Sequence, residues 1–152
     1  MEVHIFSYNQ GEEKVPERIL QPLILDFQKK EFKILKSGTR QVREQLVPIL
    51  SANGWSDQVR VVPHMRITIT SVFGHVGLCL QFGNMARFYA DLLKLQVMFE
   101  NGSISSAIYV LPMKRFSLKL GSNAVTFERL VSELDIYRNI ISIPILVLGL
   151  QG

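Results

Sequence analysis

Between Met85 and Phe99 the apolar residues Phe88, Leu92, Leu95 and Phe99 recur at intervals of three and four. This spacing predicts one face of a helix, and Asn101-Gly102 supplies its stop. Just upstream the period changes. Arg66-Ile67-Thr68-Ile69-Thr70-Ser71-Val72 alternates apolar and hydroxyl side chains at period two, the pattern of a half-buried strand. His75 to Phe82 continues in kind after Gly74, so the two segments predict a hairpin. Ile104 to Leu111 is a strand without charge, closed by Pro112. Asn123 to Leu134 returns to helical spacing through Val125, Phe127, Leu130, Val131 and Leu134, and Ile143 to Leu148 supplies a last buried strand.

Nearer the N-terminus, Ile19, Leu20, Leu23, Ile24 and Phe27 follow Val15-Pro16-Glu17-Arg18 at helical spacing. Pro16 suits a first turn and Pro22 predicts an interruption, so a broken helix is expected. Ser37-Gly38-Thr39 is a turn signal. Gln41 to Ser51 then places Val42, Leu46, Ile49 and Leu50 on one face before Asn53-Gly54 ends the helix, and Trp55 is expected to cover the edge of the core. The order helix, helix, hairpin, helix, strand, helix, strand predicts an α/β fold with a mixed central sheet flanked by helices. Its later strands run parallel, because helical crossovers join them.

Composition narrows the class. A chain of 152 residues that is 47% hydrophobic and 20% charged is that of one globular domain, residues 1–152, with no repeat, linker or low-complexity tract. The most apolar stretch, Ile140 to Leu150, is about half a bilayer span and contains Pro144, so it reads as a strand and no membrane partner is expected. Met1-Glu2-Val3-His4 lacks the basic start and apolar run of a secretory signal, which predicts a cytoplasmic protein. The single Cys79 excludes an internal disulfide and a multi-cysteine zinc site. A net charge of +4 and a pI near 9.4 are compatible with nucleic acid without demanding it. The excess is concentrated: Lys29, Lys30, Lys33, Lys36, Arg40 and Arg43 face only Glu31 before Glu44.

Lys36-Ser37-Gly38-Thr39-Arg40-Gln41, then a helix, then Asn53-Gly54-Trp55-Ser56, resembles the early part of type II restriction endonucleases of the BglII and BstYI group, relatives of BamHI. Further segments agree in order. Val76-Gly77-Leu78-Cys79-Leu80-Gln81-Phe82-Gly83-Asn84 stands where that family has its catalytic strand, and Phe88 to Gly102 resembles the helix that follows. Ser105-Ser106-Ala107-Ile108-Tyr109-Val110 and Ile143-Pro144-Ile145-Leu146-Val147 are similar to its next two core strands. The resemblance implies a restriction-endonuclease-like fold and a homodimer clasping duplex DNA. It also implies magnesium-assisted attack of water on a phosphodiester, as in the PD-(D/E)xK nucleases. Magnesium prefers oxygen ligands, and the family supplies them as an Asp on one strand and a Glu-x-Gln or Glu-x-Glu on the next.

Carried onto this chain, the Glu-x-Gln falls on Cys79-Leu80-Gln81 and the Asp on Thr70 or Ser71, so only Gln81 matches. No Asp, Glu, Lys or Arg occurs from Ile67 to Ala86. Magnesium is therefore expected only if other ligands serve. By the resemblance Gln81 would hold the attacking water or the scissile phosphate; the plainer reading is a strand-end amide satisfying backbone groups. Asn84, Arg87, Asp91 and Lys94 recur on one helix face. They read either as a displaced active site, with Asp91 the nearest acid and Asn84 beside Gln81, or as a solvated ion network built on the Arg87–Asp91 spacing. The helix start at Gly83-Asn84 could also present N–H groups to a phosphate.

Cys79, between Leu78 and Leu80, reads as a buried thiol, and His75 as a turn residue, with His4 and His64 elsewhere. Lys29, Lys30, Lys33, Lys36, Arg40 and Arg43 are candidate phosphate contacts or a solvated face, and Lys114-Arg115, beyond a strand end, is a second basic candidate. Two functions compete on these grounds. One is a BglII-like homologue that binds duplex DNA, with cleavage impaired or moved to other ligands. The other is a catalytically inactive pseudo-nuclease that serves as a protein-interaction module. A small-molecule enzyme has no glycine-rich phosphate loop or nucleophile motif behind it.

Overall fold

In a computed structural model, the structure describes residues 1–33, 38–121 and 123–152. Lys36 and Ser37 lie outside the described residues. The frame is a five-stranded sheet of β1 (Glu2–Tyr8), β4 (Ser71–Phe73), β5 (Val76–Leu80), β6 (Ser106–Pro112) and β7 (Ile145–Gln151). Its order is β1-β7-β6-β5-β4. β5, β6 and β7 run parallel and are buried nearly throughout, whereas β1 and β4 close the two edges antiparallel. An all-apolar strand is what a parallel sheet covered on both faces requires.

Alternation along these strands sorts the core into two layers. Leu78, Leu80, Ile108, Val110, Leu146 and Leu148 pack against α2 (Glu17–Lys29) and α3 (Gly38–Ala52). Cys79, Tyr109, Leu111, Ile145 and Val147 face α4 (Ala86–Glu100) and α6 (Phe127–Leu134). α4 carries the chain from β5 to β6, and α5 (Lys114–Ser117) with α6 carries it from β6 to β7. The parallel strands expected from helical crossovers are thus present. A short α1 (Gly11–Lys14) follows β1. Among the described residues no helix is long and apolar enough to cross a membrane.

Several expectations shift. Pro22 does not break the first long helix, because it lies on the exposed face of α2, where the carbonyl left without an N–H partner four residues earlier can bond water. Gly38 and Thr39 open α3 instead of forming a turn before it; Gly38 is buried against Leu120, where a Cβ would meet Leu120 Cδ2 at 2.7 Å. The alternating Arg66–Val72 segment is not one strand. It splits into β3 (Thr68–Ile69), paired with β2 (Val59–Arg60) in a separate ribbon, and β4, with Thr70 at the break. α6 begins only at Phe127, with Thr126 as its cap; Asn123 is in a turn at φ +61°, and Ala124 bridges Asn84 beside the start of α4. β1 had no counterpart in the expected element order.

The β4–β5 hairpin forms as expected, with Phe73 opposite Val76 across a turn at Gly74-His75, where Gly74 has φ +59°. Trp55 is buried edge-on against Phe73, as its predicted place at the core edge required.

Candidate functional site

At the C-terminal end of β5 the two sheets part and leave a cleft of about 560 Å³. The break at Thr70 makes it possible. β4 ends its pairing at Ser71↔Leu78, so Leu80 N–H has no backbone partner across that edge and instead donates to Thr70 Oγ1 at 3.0 Å. Ser71, fully buried, donates to the Ser56 carbonyl at 2.6 Å and anchors the turn from below. Of the two positions to which the resemblance carries the missing aspartate, Thr70 spends its hydroxyl oxygen on the strand end and Ser71 does not line the cleft.

Gln81 and Asp91 form the floor. Gln81 Nε2 donates to Asp91 Oδ2 at 2.7 Å, and Gln81 Oε1 accepts the Gly83 N–H at 3.1 Å, so both ends of the amide are fixed. Asp91 projects from the buried side of α4 and is 7% exposed. Its Oδ2 also accepts from the Tyr109 hydroxyl at 3.1 Å, and Lys94 Nζ stands 3.5 Å from Oδ1. Donors from a strand, a strand end and its own helix thus surround this buried carboxylate, as burial of a polar group requires. Burial pushes the Tyr109 phenol well above its usual range, with the Asp91 charge adding to the rise, and the same two causes in the same order raise Cys79. Both stay protonated, and the buried, inert thiol expected at Cys79 is the one found.

The walls are basic. Arg40, Arg43, Arg87 and Lys94 line the cleft, with Asp91 as its one lining carboxylate among the described residues. Arg43 Nη1 donates to the Leu80 carbonyl at 3.1 Å, which aims the guanidinium across the mouth. Arg40, on the rim, pairs with exposed Glu44 at 2.8 Å. The Arg87 guanidinium has no hydrogen-bond or ion-pair partner among the described residues, its backbone N–H being bonded to the Asn84 carbonyl. The Arg87–Asp91 pair suggested by spacing does not form, because Asp91 turns inward to Gln81 and Tyr109 while Arg87 stays exposed.

The other basic positions gather at the same end of the sheet. Lys114 and Arg115 are exposed on α5, just past the end of β6, and Lys114 N–H bonds the Glu128 carboxylate. Phe32 stacks on Phe116 of α5, which brings Lys33 beside that strand end. Lys29 and Lys30 close α2 nearby, where the N-terminal amine bonds the Gln28 and Lys30 carbonyls. Asn84 is exposed at the start of α4, bonds the Ala86 N–H at 2.9 Å, and lies outside the cleft lining. His75 sits in the hairpin turn at the far end of β5. Tyr109 is the contributor that sequence reasoning missed. A tyrosine inside a chargeless strand needs a buried acceptor, and that requirement was the available signal.

A family model described as restriction endonuclease BglII/BglIII matches residues 3–150. The chain belongs to this family. BglII solved with a DNA 16-mer superposes with a TM-score of 0.88 at 13% identity, covering 100% of this chain and 79% of that one. Free BglII gives 0.79 at 14% identity, with 100% and 80% covered. No curated protein matches the sequence. The mixed sheet flanked by helices is thus the BglII fold, and the cleft lies at the C-terminal end of β5.

The residues present do not fit the magnesium ion of such a nuclease. A hard divalent ion takes about six oxygen ligands, several of them anionic. Here the one lining carboxylate already accepts on both oxygens, and Gln81 Oε1 and Thr70 Oγ1 are engaged by backbone N–H groups. Among the described residues no group of three His, Cys, Asp or Glu side chains gathers anywhere. Three further cations, Arg43, Arg87 and Lys94, would repel an incoming one.

Proposed function

We propose that this chain is a duplex-DNA-binding member of the BglII family that grips the phosphate backbone at the β5 strand end without cutting it. The carrying observation is the charge of the cleft, four cations around Asp91 as the one lining carboxylate among the described residues, with Lys33, Lys114 and Arg115 exposed at the same end of the sheet. Phosphate contacts from Lys and Arg supply affinity and register whatever the base sequence. The family likeness supports the choice of DNA, since BglII itself has been solved on a DNA 16-mer. In this reading two copies act together, each laying its cleft along one strand.

Anisotropy titration of a labelled short duplex tests the reading. With about four phosphates neutralised, affinity falls about a hundredfold between roughly 50 and 200 mM salt. Absence of binding at the lower salt overturns the proposal in favour of the protein-interaction module. Plasmid incubated with magnesium or manganese stays intact; metal-dependent cutting removes the non-cleaving half of the reading.

A further inference from the structure

The mismatch between this donor set and a metal ion points to a specific replacement. We propose that the cleft takes a phosphodiester phosphate directly onto Arg43, Arg87 and Lys94, these three cations standing in for the divalent ion. The inference rests on the reading above and names what its central site binds.

Each of the three has donors to give. Arg43 uses Nη1 on the Leu80 carbonyl, which fixes its plane and leaves the rest of the guanidinium fork facing the cleft. Arg87 is exposed on α4, and its guanidinium donors bond no other described residue. Lys94 stands 3.5 Å from Asp91, longer than a well-made charge-assisted bond, and its side chain is 28% exposed, so the ammonium can turn to an anion in the cleft. Gln81 keeps one amide hydrogen after its bond to Asp91.

Asp91 has a different part from a metal ligand. Its Oδ2 is occupied by Gln81 and Tyr109, so it positions the Gln81 amide and does not reach the phosphate, and Lys94 is the donor it can release. A single negative charge so engaged leaves the cleft net positive, which suits a phosphate anion and disfavours Mg²⁺. A cleft of about 560 Å³ is also ample for a phosphate with its flanking sugars.

Three measurements on the intact protein separate the outcomes. Titrating inorganic phosphate in EDTA should shift the Gln81 side-chain amide and the Arg Nε–H resonances. Arg87→Ala should weaken that binding about tenfold, the worth of one charge-assisted bond, with an unchanged unfolding curve. Manganese added alone should give no stoichiometric bound signal by paramagnetic resonance. Duplex affinity should be the same in EDTA and in magnesium.

Stoichiometric manganese lost in Asp91→Asn overturns the inference, as does duplex binding that appears only with a divalent ion; either result leaves DNA binding itself in place. Phosphate shifts that Arg87→Ala does not weaken also overturn it. Phosphate bound as predicted with no duplex binding upholds this site and refutes the wider DNA reading.

Discussion

Asp91 on α4 and Glu133 on α6 belong to helices that cover the same face of the sheet, and each accepts a tyrosine hydroxyl and faces a cation. Tyr109 and Lys94 serve Asp91; Tyr89 and Arg129 serve Glu133. By partner type the two acids are nearly equivalent, yet one lies in the cleft and the other in the seam between α4 and α6. The difference lies in the surroundings. In the seam the charges balance, Arg129 against Glu133 and nearby Arg138 against Asp135. In the cleft Arg43 and Arg87 have no carboxylate partner among the described residues. A buried, well-bonded carboxylate therefore does not by itself tell the cleft from the seam, whereas uncompensated positive charge does.

The largest test of the comparison is depth. Asp91→Ala strands a buried phenol and half-buried Lys94 and frees the Gln81 amide, so it should cost about 3 kcal/mol in urea unfolding. A loss comparable to that at a surface pair would mean that Asp91 is not the internal strut the geometry makes it.

Alkaline pH sharpens the contrast next. In the folded chain Cys79 and Tyr109 hold their protons well above the ordinary 9.0 and 10.0, while the unfolded chain releases them near those values. The native state then binds more protons, so stability is fully present below about pH 9 and falls as pH rises. Each group contributes about 1.4 kcal/mol per pH unit once its unfolded form ionises. Tyr109→Phe should flatten the limb above pH 10.0. An unchanged limb in that variant would show that the phenol is not shielded as its burial implies.

Much of this was legible in the sequence, for physical reasons. β5, β6 and β7 carry unbroken apolar runs and α4 an apolar stripe, patterns that burial itself imposes. β1 is half-solvated along the edge and lacks that signature, while β2 and β3, of two residues each, are too short to have a period. Pro22 looked like a break because a sequence does not say which helix face meets water. At the site, Gln81, Asp91 and Arg43 could be named from spacing and resemblance, but not that Asp91 turns to a tyrosine eighteen residues away on the neighbouring strand. Long-range pairing of that kind leaves only the hint of a polar group in an apolar strand.

The smallest effect closes the comparison from the other side. Glu133 is 20% exposed in its side chain and Arg129 44%, so both can exchange protein partners for water. Glu133→Gln keeps an acceptor oxygen for the Tyr89 hydroxyl at nearly the same place. What is lost is the charge assistance on that bond and the exposed ion pair with Arg129, together about 1 kcal/mol. Urea unfolding of the variant beside Asp91→Ala reads the ratio directly, and duplex affinity, which draws on the cleft cations, should not change. A loss at Glu133 equal to that at Asp91 would erase the distinction between seam and cleft. It would mean that the seam is as closed to water as the floor of the cleft.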